Sequence, residues 1–220
     1  LTGSLDYETA TSHDIEVTAT SDDTSTSIES YTIAVTDVDE FDVSAISDTN
    51  TGDDTLAEDA SSGAAVGVTA SASDADGTTN GITYSLSDDA DGKFEIDGST
   101  GVVTLTGSLD YETATSHDIE VTATSDDAST STESYTIAVT DVNEHDVSAI
   151  SDTNSGDDTL AEDASSGAAV GITASASDAD GTTNGITYSL SDDDGGNFEI
   201  DGSTGVVTLT GSLDYETATS

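Results

Sequence analysis

The chain has 220 residues and carries 47 aspartates and glutamates against one basic residue, Lys93, for a formal net charge of −46. Such a polyanion is repelled by nucleic acid and by anionic membrane surfaces, which excludes both as direct partners and leaves cations as the natural counterpart. Cysteine is absent, so neither disulfides nor thiolate metal sites can brace the fold. No apolar run approaches the roughly 18 residues needed to cross a bilayer, so no membrane insertion is expected in this segment.

The sequence repeats itself with a period of 104 residues. Residues 1–116 can be laid over residues 105–220 without a gap, and the two copies differ at nine positions. This period suits a whole domain rather than a solenoid unit of about 20–50 residues. We therefore predict the back part of one repeat at 1–41, a complete repeat at 42–145 and the front part of a third at 146–220. Because residue 1 falls inside a repeat, we expect a window on a longer array.

Apolar and polar side chains alternate with a period of two through the complete repeat, which indicates half-buried strands. In chain order, the predicted strands lie around 55–56 and at 65–73, 82–86, 94–96, 103–105, 119–123 and 135–139. Turn-forming pairs such as Asp76-Gly77 separate them, and no segment shows a sustained helical period. Seven short strands in about 100 residues indicate an all-β sandwich.

Two acidic joints, at 37–42 and 141–146, separate the predicted repeats. Carboxylates crowd together there with no Lys or Arg in the joint, and such a cluster repels itself unless solvent, salt or a bound cation intervenes. Calcium takes six to eight oxygen ligands, whereas the lack of thiolates and the scarcity of His disfavour zinc and copper. We interpret the joints as Ca²⁺ sites that stiffen a row of domains.

Five motifs in a fixed order carry a family resemblance. They are Ile-Thr-Tyr-Ser-Leu at 82–86, Gly-Lys-Phe-Glu-Ile-Asp at 92–97, Thr-Gly-Val-Val at 100–103, Leu-Asp-Tyr-Glu at 109–112 and Tyr-Thr-Ile-Ala-Val-Thr-Asp-Val-Asn-Glu at 135–144. The ordered set strongly resembles a cadherin repeat, in particular the bacterial cadherin-like repeats of very large surface adhesins and matrix proteins. It spans the complete repeat and extends into both partial ones.

The resemblance implies tandem seven-stranded Greek-key β-sandwich domains, cadherin- or immunoglobulin-like, joined end to end with calcium at each junction. Its ligands come from the base of one domain, the linker and the top of the next. At the first junction the matching positions are Asp6, Glu8, Asp37, Asp39, Glu40, Asp74, Asp76 and Asn80. At the second they are Glu58, Asp110, Glu112, Asp141, Asn143, Glu144, Asp178, Asp180 and Asn184, with the carbonyls of Val142 and His145 as additional donors. Glu162, Asp214 and Glu216 match the lower half of a third junction.

The joints depart from the family pattern in several places. The usual linker, Asp-x-Asn-Asp-Asn, has Glu144 and His145 at its last two positions here, and the proline that commonly follows is missing. Ser125 stands where an Asp normally ends the penultimate strand. Asp39 carries a charge that Asn143 lacks, so we expect slightly tighter calcium binding at the first junction.

Other interpretations account for part of the pattern. A solvated acidic surface, as in proteins adapted to high salt, explains scattered carboxylates such as Asp88, Asp89, Asp126 and Asp127. It does not explain motifs that recur in the order of the family. Paired carboxylates can hydrolyse glycosides, but enzymes rarely tile an active site along an array, so we expect no enzyme.

The sequence therefore predicts a calcium-rigidified extracellular array that serves as a structural extender or filament in cell adhesion or biofilm matrix. The expected location is a bacterial cell surface or a secreted matrix, and the expected partners are neighbouring repeats and other copies in a filament or bundle. Two alternatives stay open at this point. One is a recognition module that binds carbohydrate or another cadherin-like domain, and the other is a haloadapted acidic spacer without specific metal sites.

Overall fold

The computed structural model describes residues 3–216 of the chain. Within this range the protein is all-β, as predicted, with fourteen strands and no helix. The strands are β1 (Ser12–Thr20), β2 (Thr26–Ala34), β3 (Ser47–Asp48), β4 (Thr55–Ala57), β5 (Ala65–Ser71), β6 (Ile82–Asp88), β7 (Phe94–Ile96), β8 (Val102–Leu105), β9 (Ser116–Ser125), β10 (Thr130–Thr140), β11 (Ser151–Asp152), β12 (Ala169–Ser175), β13 (Phe198–Ile200) and β14 (Val206–Leu209). No helix in the described part of the chain is long and apolar enough to cross a membrane.

The chain divides into two compact units, Leu1–Thr140 and Asp141–Ser220. The division falls at the first residue of the second acidic joint. The boundaries of the three repeats, at 1–41, 42–145 and 146–220, stay a prediction.

Two four-stranded sheets form a sandwich in the first unit. One has the order β4-β10-β9-β6 and the other the order β3-β5-β8-β7. All neighbouring strands are antiparallel except β4, which runs parallel to β10. The seven predicted strands are all present, and the short β3, which pairs with β5, is an eighth that the sequence analysis missed. Two residues are too few for a period of two to be recognised.

The core lies between the two sheets because inward positions alternate with outward ones along each strand. Strand β9 is buried at every second residue from Ile119 to Ser125, and β5 is buried at Val66, Val68 and Ala70. Ile119 is 1% exposed, and it shares one buried cluster with side chains of the opposite sheet. Each fully buried aliphatic side chain contributes about 1.5–3 kcal/mol to the free energy of unfolding. The outward positions are largely Thr and Ser, which suit both strand geometry and water.

The hairpin β1–β2 has nearly the sequence of β9–β10 but none of its burial. The two hairpins share the same register, since Ser12 lies opposite Ala34 as Ser116 lies opposite Ala138. Every residue of β1 and β2 is exposed, because the described residues include no sheet packed against this hairpin. Identical residues are thus core in one place and surface in the other.

The second unit contains one four-stranded sheet, with the order β11-β12-β14-β13. It matches the sheet β3-β5-β8-β7 of the first unit. Residues 159–161 and 186–192 match β4 and β6 in sequence, yet they form no strand. In the first unit those strands pair with β10 and β9, and the described part of the second unit holds no counterpart of either. An extended segment without a neighbouring strand gains no ladder of hydrogen bonds.

The repeat supplies a matched pair of core substitutions. Replacing Ile119 by Ala deletes buried atoms, so we expect the free energy of unfolding of the first unit to fall by about 2–5 kcal/mol. The same change at Ile15, one period upstream and 45% exposed, is expected to cost less than about 0.5 kcal/mol. Urea denaturation followed by tyrosine fluorescence measures both. Equal losses in the two variants would contradict the difference in burial.

Candidate metal centre

The first acidic joint is built around the buried carboxylate of Asp76, which is 1% exposed. Its Oδ1 accepts a hydrogen bond from the backbone N–H of Glu40 at 3.1 Å, and both its oxygens lie within 3.3 Å of the N–H of Phe41. A buried carboxylate needs such donors because the interior does not replace its hydration. Asp76 therefore fixes the path of the linker between the hairpin and the sandwich.

Three carboxylates form a first cluster, each from a different place in the chain or linker. One oxygen from each of Glu8, Asp37 and Glu40 lies within 4.8 Å of the others. Glu8 Oε1 accepts from the N–H of Gly77 at 3.0 Å, and the Thr78 hydroxyl donates to Asp37 Oδ2. Asp37 Oδ1 is buried and has no hydrogen-bond partner. Desolvation and then the carboxylates of Glu8 and Asp76 raise the pKa of Glu40.

A second cluster joins the linker to the sandwich. Oxygens of Asp39, Asp76 and Asp127 lie within 4.8 Å of one another. Desolvation, followed by the charges of Asp127 and Asp76, raises the pKa of Asp39. Asp127 is held in place because its Oδ1 accepts from the N–H of Ser129 at 2.6 Å. The Ser129 hydroxyl in turn accepts from the N–H of Val43 at 2.9 Å, which ties the linker to the β9–β10 turn.

Asp127 is a site residue that the sequence analysis missed and assigned to the solvated surface. The family pattern places an Asp at the end of the penultimate strand, where this chain has Ser125. Asp127 follows two residues later and lies in the cluster instead. An acidic residue displaced by two positions from its expected place is a signal that could have identified it.

Ser125 positions a carboxylate instead of supplying one. Its side chain is 4% exposed, and its hydroxyl donates to Asp74 Oδ2 while lying 2.9 Å from the carbonyl oxygen of Thr79. Asp74 Oδ1 also accepts from the N–H of Asp76 at 3.1 Å. The bond from Ser125 and then that from Asp76 lower the pKa of Asp74. Asp74 is therefore a fixed anion beside the second cluster.

Two predicted ligands of the first joint lie apart from these clusters. Asp6 caps its own turn, accepting from the N–H of Thr9 at 3.1 Å and from its hydroxyl at 2.9 Å. The bonds from Thr9 lower the pKa of Asp6. Asn80 is an exposed residue of the loop that follows Asp76.

The second unit opens on the same frame one period later. Asp180 is 1% exposed, and its Oδ1 accepts from the N–H groups of Glu144 and His145, both at 3.1 Å. Burial acts to raise the pKa of Asp180, but the bonds from His145 and Glu144 outweigh it and the pKa is lowered. Thr182 donates through both its N–H and its hydroxyl to Asp141 Oδ2. Asp141 Oδ1, like Asp37 Oδ1, is buried without a hydrogen-bond partner.

The single chemical difference between the two frames changes their electrostatics. At the first joint Asp39 faces the carboxylate of Asp76, and the two charges repel. At the second, the Asn143 amide nitrogen donates to Asp180 Oδ2 at 2.5 Å. A stabilising hydrogen bond at the second joint thus replaces a repulsion at the first.

The remaining predicted ligands are distributed over both units. In the first, Glu58 Oε2 accepts from the N–H of Tyr111 at 2.6 Å, and Asp110 caps the turn that contains the exposed Glu112. In the second, the remaining residues are Asp178, which accepts from the N–H of Asp180 at 3.2 Å, the exposed Asn184, and Glu162, Asp214 and Glu216, whose oxygens lie within 4.8 Å of one another.

The donor set at the first joint fits a hard divalent cation. Every side-chain donor in the two clusters is a carboxylate oxygen, and Asp37 Oδ1 is a buried acceptor that no protein donor satisfies. Calcium accepts such ligands in flexible geometry, whereas zinc prefers nitrogen and sulfur. The sequence contains one basic side chain, Lys93, which lies in neither cluster, so no ammonium neutralises these groups.

Comparisons with known proteins agree on one family. A model of the cadherin domain matches residues 55–143 and 159–220. Human protocadherin Fat 4 is 39% identical over 154 residues, and the mouse protein 38%, in each case over 68% of this chain and 3% of the relative. Protocadherin gamma B7 extracellular cadherin domains 1–4 superpose with a TM-score of 0.74 at 27% identity, covering 97% of this chain and 52% of that one. Mouse protocadherin-24 EC1-3 gives 0.68 at 26%, covering 99% and 71%.

The relatives share both the sandwich and the succession of repeats. The named relatives come from human and mouse, and the chain spans a small part of the curated ones, so a bacterial origin is not shown. The family model covers more than half of the residues, across both units. The chain belongs to the cadherin domain family.

Proposed function

We propose that this chain is a calcium-rigidified array of cadherin repeats that serves as an extracellular extender or filament in cell adhesion. One observation carries the proposal. Carboxylate oxygens from the hairpin, the linker and the sandwich converge at the first joint, and Asp37 Oδ1 is buried among them without a partner. A shared cation is the simplest species that satisfies that oxygen and offsets the repulsion.

Each group at the joint has a distinct role in the proposal. Glu8, Asp37 and Glu40 would hold one ion, and Asp39, Asp76 and Asp127 would hold a second. The ion supplies positive charge that the chain lacks. Asp76 keeps the linker in register through its N–H donors even without the ion, so the site is partly preorganised. Metal binding and stiffness are then coupled, because the ligands belong to segments that the ion must hold together.

The same assignment extends to the other predicted ligands. The second site would draw on Glu58, Asp110, Glu112, Asp141, Asn143, Glu144, Asp178, Asp180 and Asn184. A third set would be Glu162, Asp214 and Glu216. The orphaned Asp141 Oδ1 supports the second site in the same way that Asp37 Oδ1 supports the first.

Near-identity of the copies favours a structural role over recognition. Only nine positions differ between copies, whereas a tip that binds a ligand would be expected to diverge from its neighbours. A bacterial surface or a secreted biofilm matrix is the specific setting of this proposal. Cadherin domains are adhesion modules, and the array needs no catalytic activity for the role proposed.

The central prediction concerns removal of one ligand. We expect millimolar calcium to raise the melting temperature of the chain and a chelator to reverse the rise, since a ligand at 100 times its Kd stabilises by about 2.7 kcal/mol. Asp37→Asn should weaken binding at the first joint at least about tenfold. Asp22→Asn removes the same charge from an exposed turn and should leave binding unchanged. Calorimetric titration with calcium measures both, and equal affinities would overturn the assignment.

A second prediction separates specific ions from salt adaptation. Small-angle scattering should show a longer maximum dimension in calcium than in chelator at constant ionic strength, because bound ions hold consecutive segments together. Sodium chloride adjusted to the same ionic strength should not substitute. If sodium reproduces the change, the haloadapted spacer is the better description.

A third prediction follows from the raised pKa of Asp39. A carboxyl with a raised pKa favours the folded state while protonated, so calcium-free stability should fall as pH rises from the usual value of 3.8 through the raised pKa. Asp39→Asn should flatten this dependence and weaken calcium binding at the first joint, and Asn143→Asp should do the reverse at the second. Urea denaturation in chelator from pH 4 to 7 tests the sign. A steeper fall in Asp39→Asn would contradict it.

A further inference from the structure

The second unit presents an open apolar face. An open cavity of about 520 Å³ is lined by side chains that include Ile172, Leu190, Phe198 and Ile200. The matching residues of the first unit are covered, with Val68 at 1% and Phe94 at 3% exposure. In that unit the strands β9 and β10 provide the cover.

The chain holds a second copy of that cover, with its apolar face exposed. Hairpin β1–β2 differs from β9–β10 at two positions only, Thr24 and Ile28 against Ala128 and Thr132. Ile15, Val17 and Ile33 are 45%, 48% and 47% exposed, whereas their counterparts one period later are fully buried. A two-stranded hairpin is marginally stable alone and exposes two unpaired edges.

The edges that would receive this hairpin are also present. In the first unit β10 pairs with β4 and β9 pairs with β6. In the second unit the matching residues, 159–161 and 186–192, carry the same sequence as β4 and β6 apart from the position of Ala90 but form no strand. Both sides of the open face therefore have extended segments whose partner strands are missing from the described residues.

We propose that the hairpin β1–β2 of one copy docks between residues 159–161 and 186–192 of a second copy. The resulting sheet has the order 159–161, β2, β1, 186–192, which repeats β4-β10-β9-β6. The interface is heterologous, so each copy offers a hairpin and an open face, and the product is a head-to-tail chain of copies. This docking does not require calcium and is independent of the proposed metal sites.

A second copy suits the connections better than the same copy does. Val43, just after the first joint, bonds to Ser129 at the β9–β10 turn, and the chain passes into the second unit after Thr140. These points lie at opposite ends of β10, whose eleven residues span about 35 Å. A hairpin held at one end of β10 must leave its joint to reach a face that is connected at the other end.

Cross-linking tests the docking directly, because the chain has no cysteine of its own. Ser85 lies opposite Thr122 in the first unit, so docking places Thr18 opposite Ser189. A mixture of Thr18→Cys and Ser189→Cys copies should form a disulfide-linked heterodimer, since facing residues lie within disulfide range. Thr20→Cys is the control, because it is displaced by two residues and should cross-link at least about tenfold less.

Association in solution provides an independent readout. Sedimentation of the full 220-residue chain should show concentration-dependent association that Ile33→Asp reduces at least tenfold. Ile28→Asp is the matched control, since Ile28 corresponds to the exposed Thr132, and it should associate normally. Unfolding of the sandwich should be unchanged in both variants. A chain that stays monomeric, association indifferent to Ile33→Asp, or a link formed only within one copy carrying both cysteines would overturn the proposal.

Discussion

A carboxylate buried under a linker, with no cation beside it, is the constraint on which the joints depend. Asp76 and Asp180 are each 1% exposed and accept backbone N–H groups from the linker that crosses them. Backbone dipoles offset part of the lost hydration, so the charge is tolerated only if the linker follows one path. That path brings further carboxylates together at the first joint. The joint is thus shaped by hydrogen bonds and left with an excess of negative charge.

The two frames show how one atom pair sets the local balance. Asp39 and Asn143 differ by an oxygen and an NH₂ group, yet one faces a carboxylate with repulsion and the other with a hydrogen bond. The first frame should therefore gain more from a cation, and the second should depend on one less. An array built from such near-identical joints can vary in stiffness from joint to joint without any change in fold.

Burial in this protein depends on position in the array more than on residue type. Ile33 and Ile137 occupy the same place in the repeat, but the first is 47% exposed and the second is fully buried. The proposed docking of β1–β2 onto a second copy would remove this difference, because it supplies the sheet that the hairpin lacks. Calcium would act along the chain and hairpin docking between chains, so the two interactions affect separate properties of an assembly.

The sequence by itself determined the all-β class, because a period of two in side-chain polarity is a local property of strands. It also placed Asp37, Asp39 and Asp76 among the candidate ligands through the ordered motifs of the family. Only the tertiary structure decided that Asp127 joins Asp39 and Asp76, since the fold brings the β9–β10 turn against the linker. It likewise decided that residues 186–192 form no strand although β6 does. A strand exists through hydrogen bonds to a neighbour distant in sequence, and no local pattern records whether that neighbour is present.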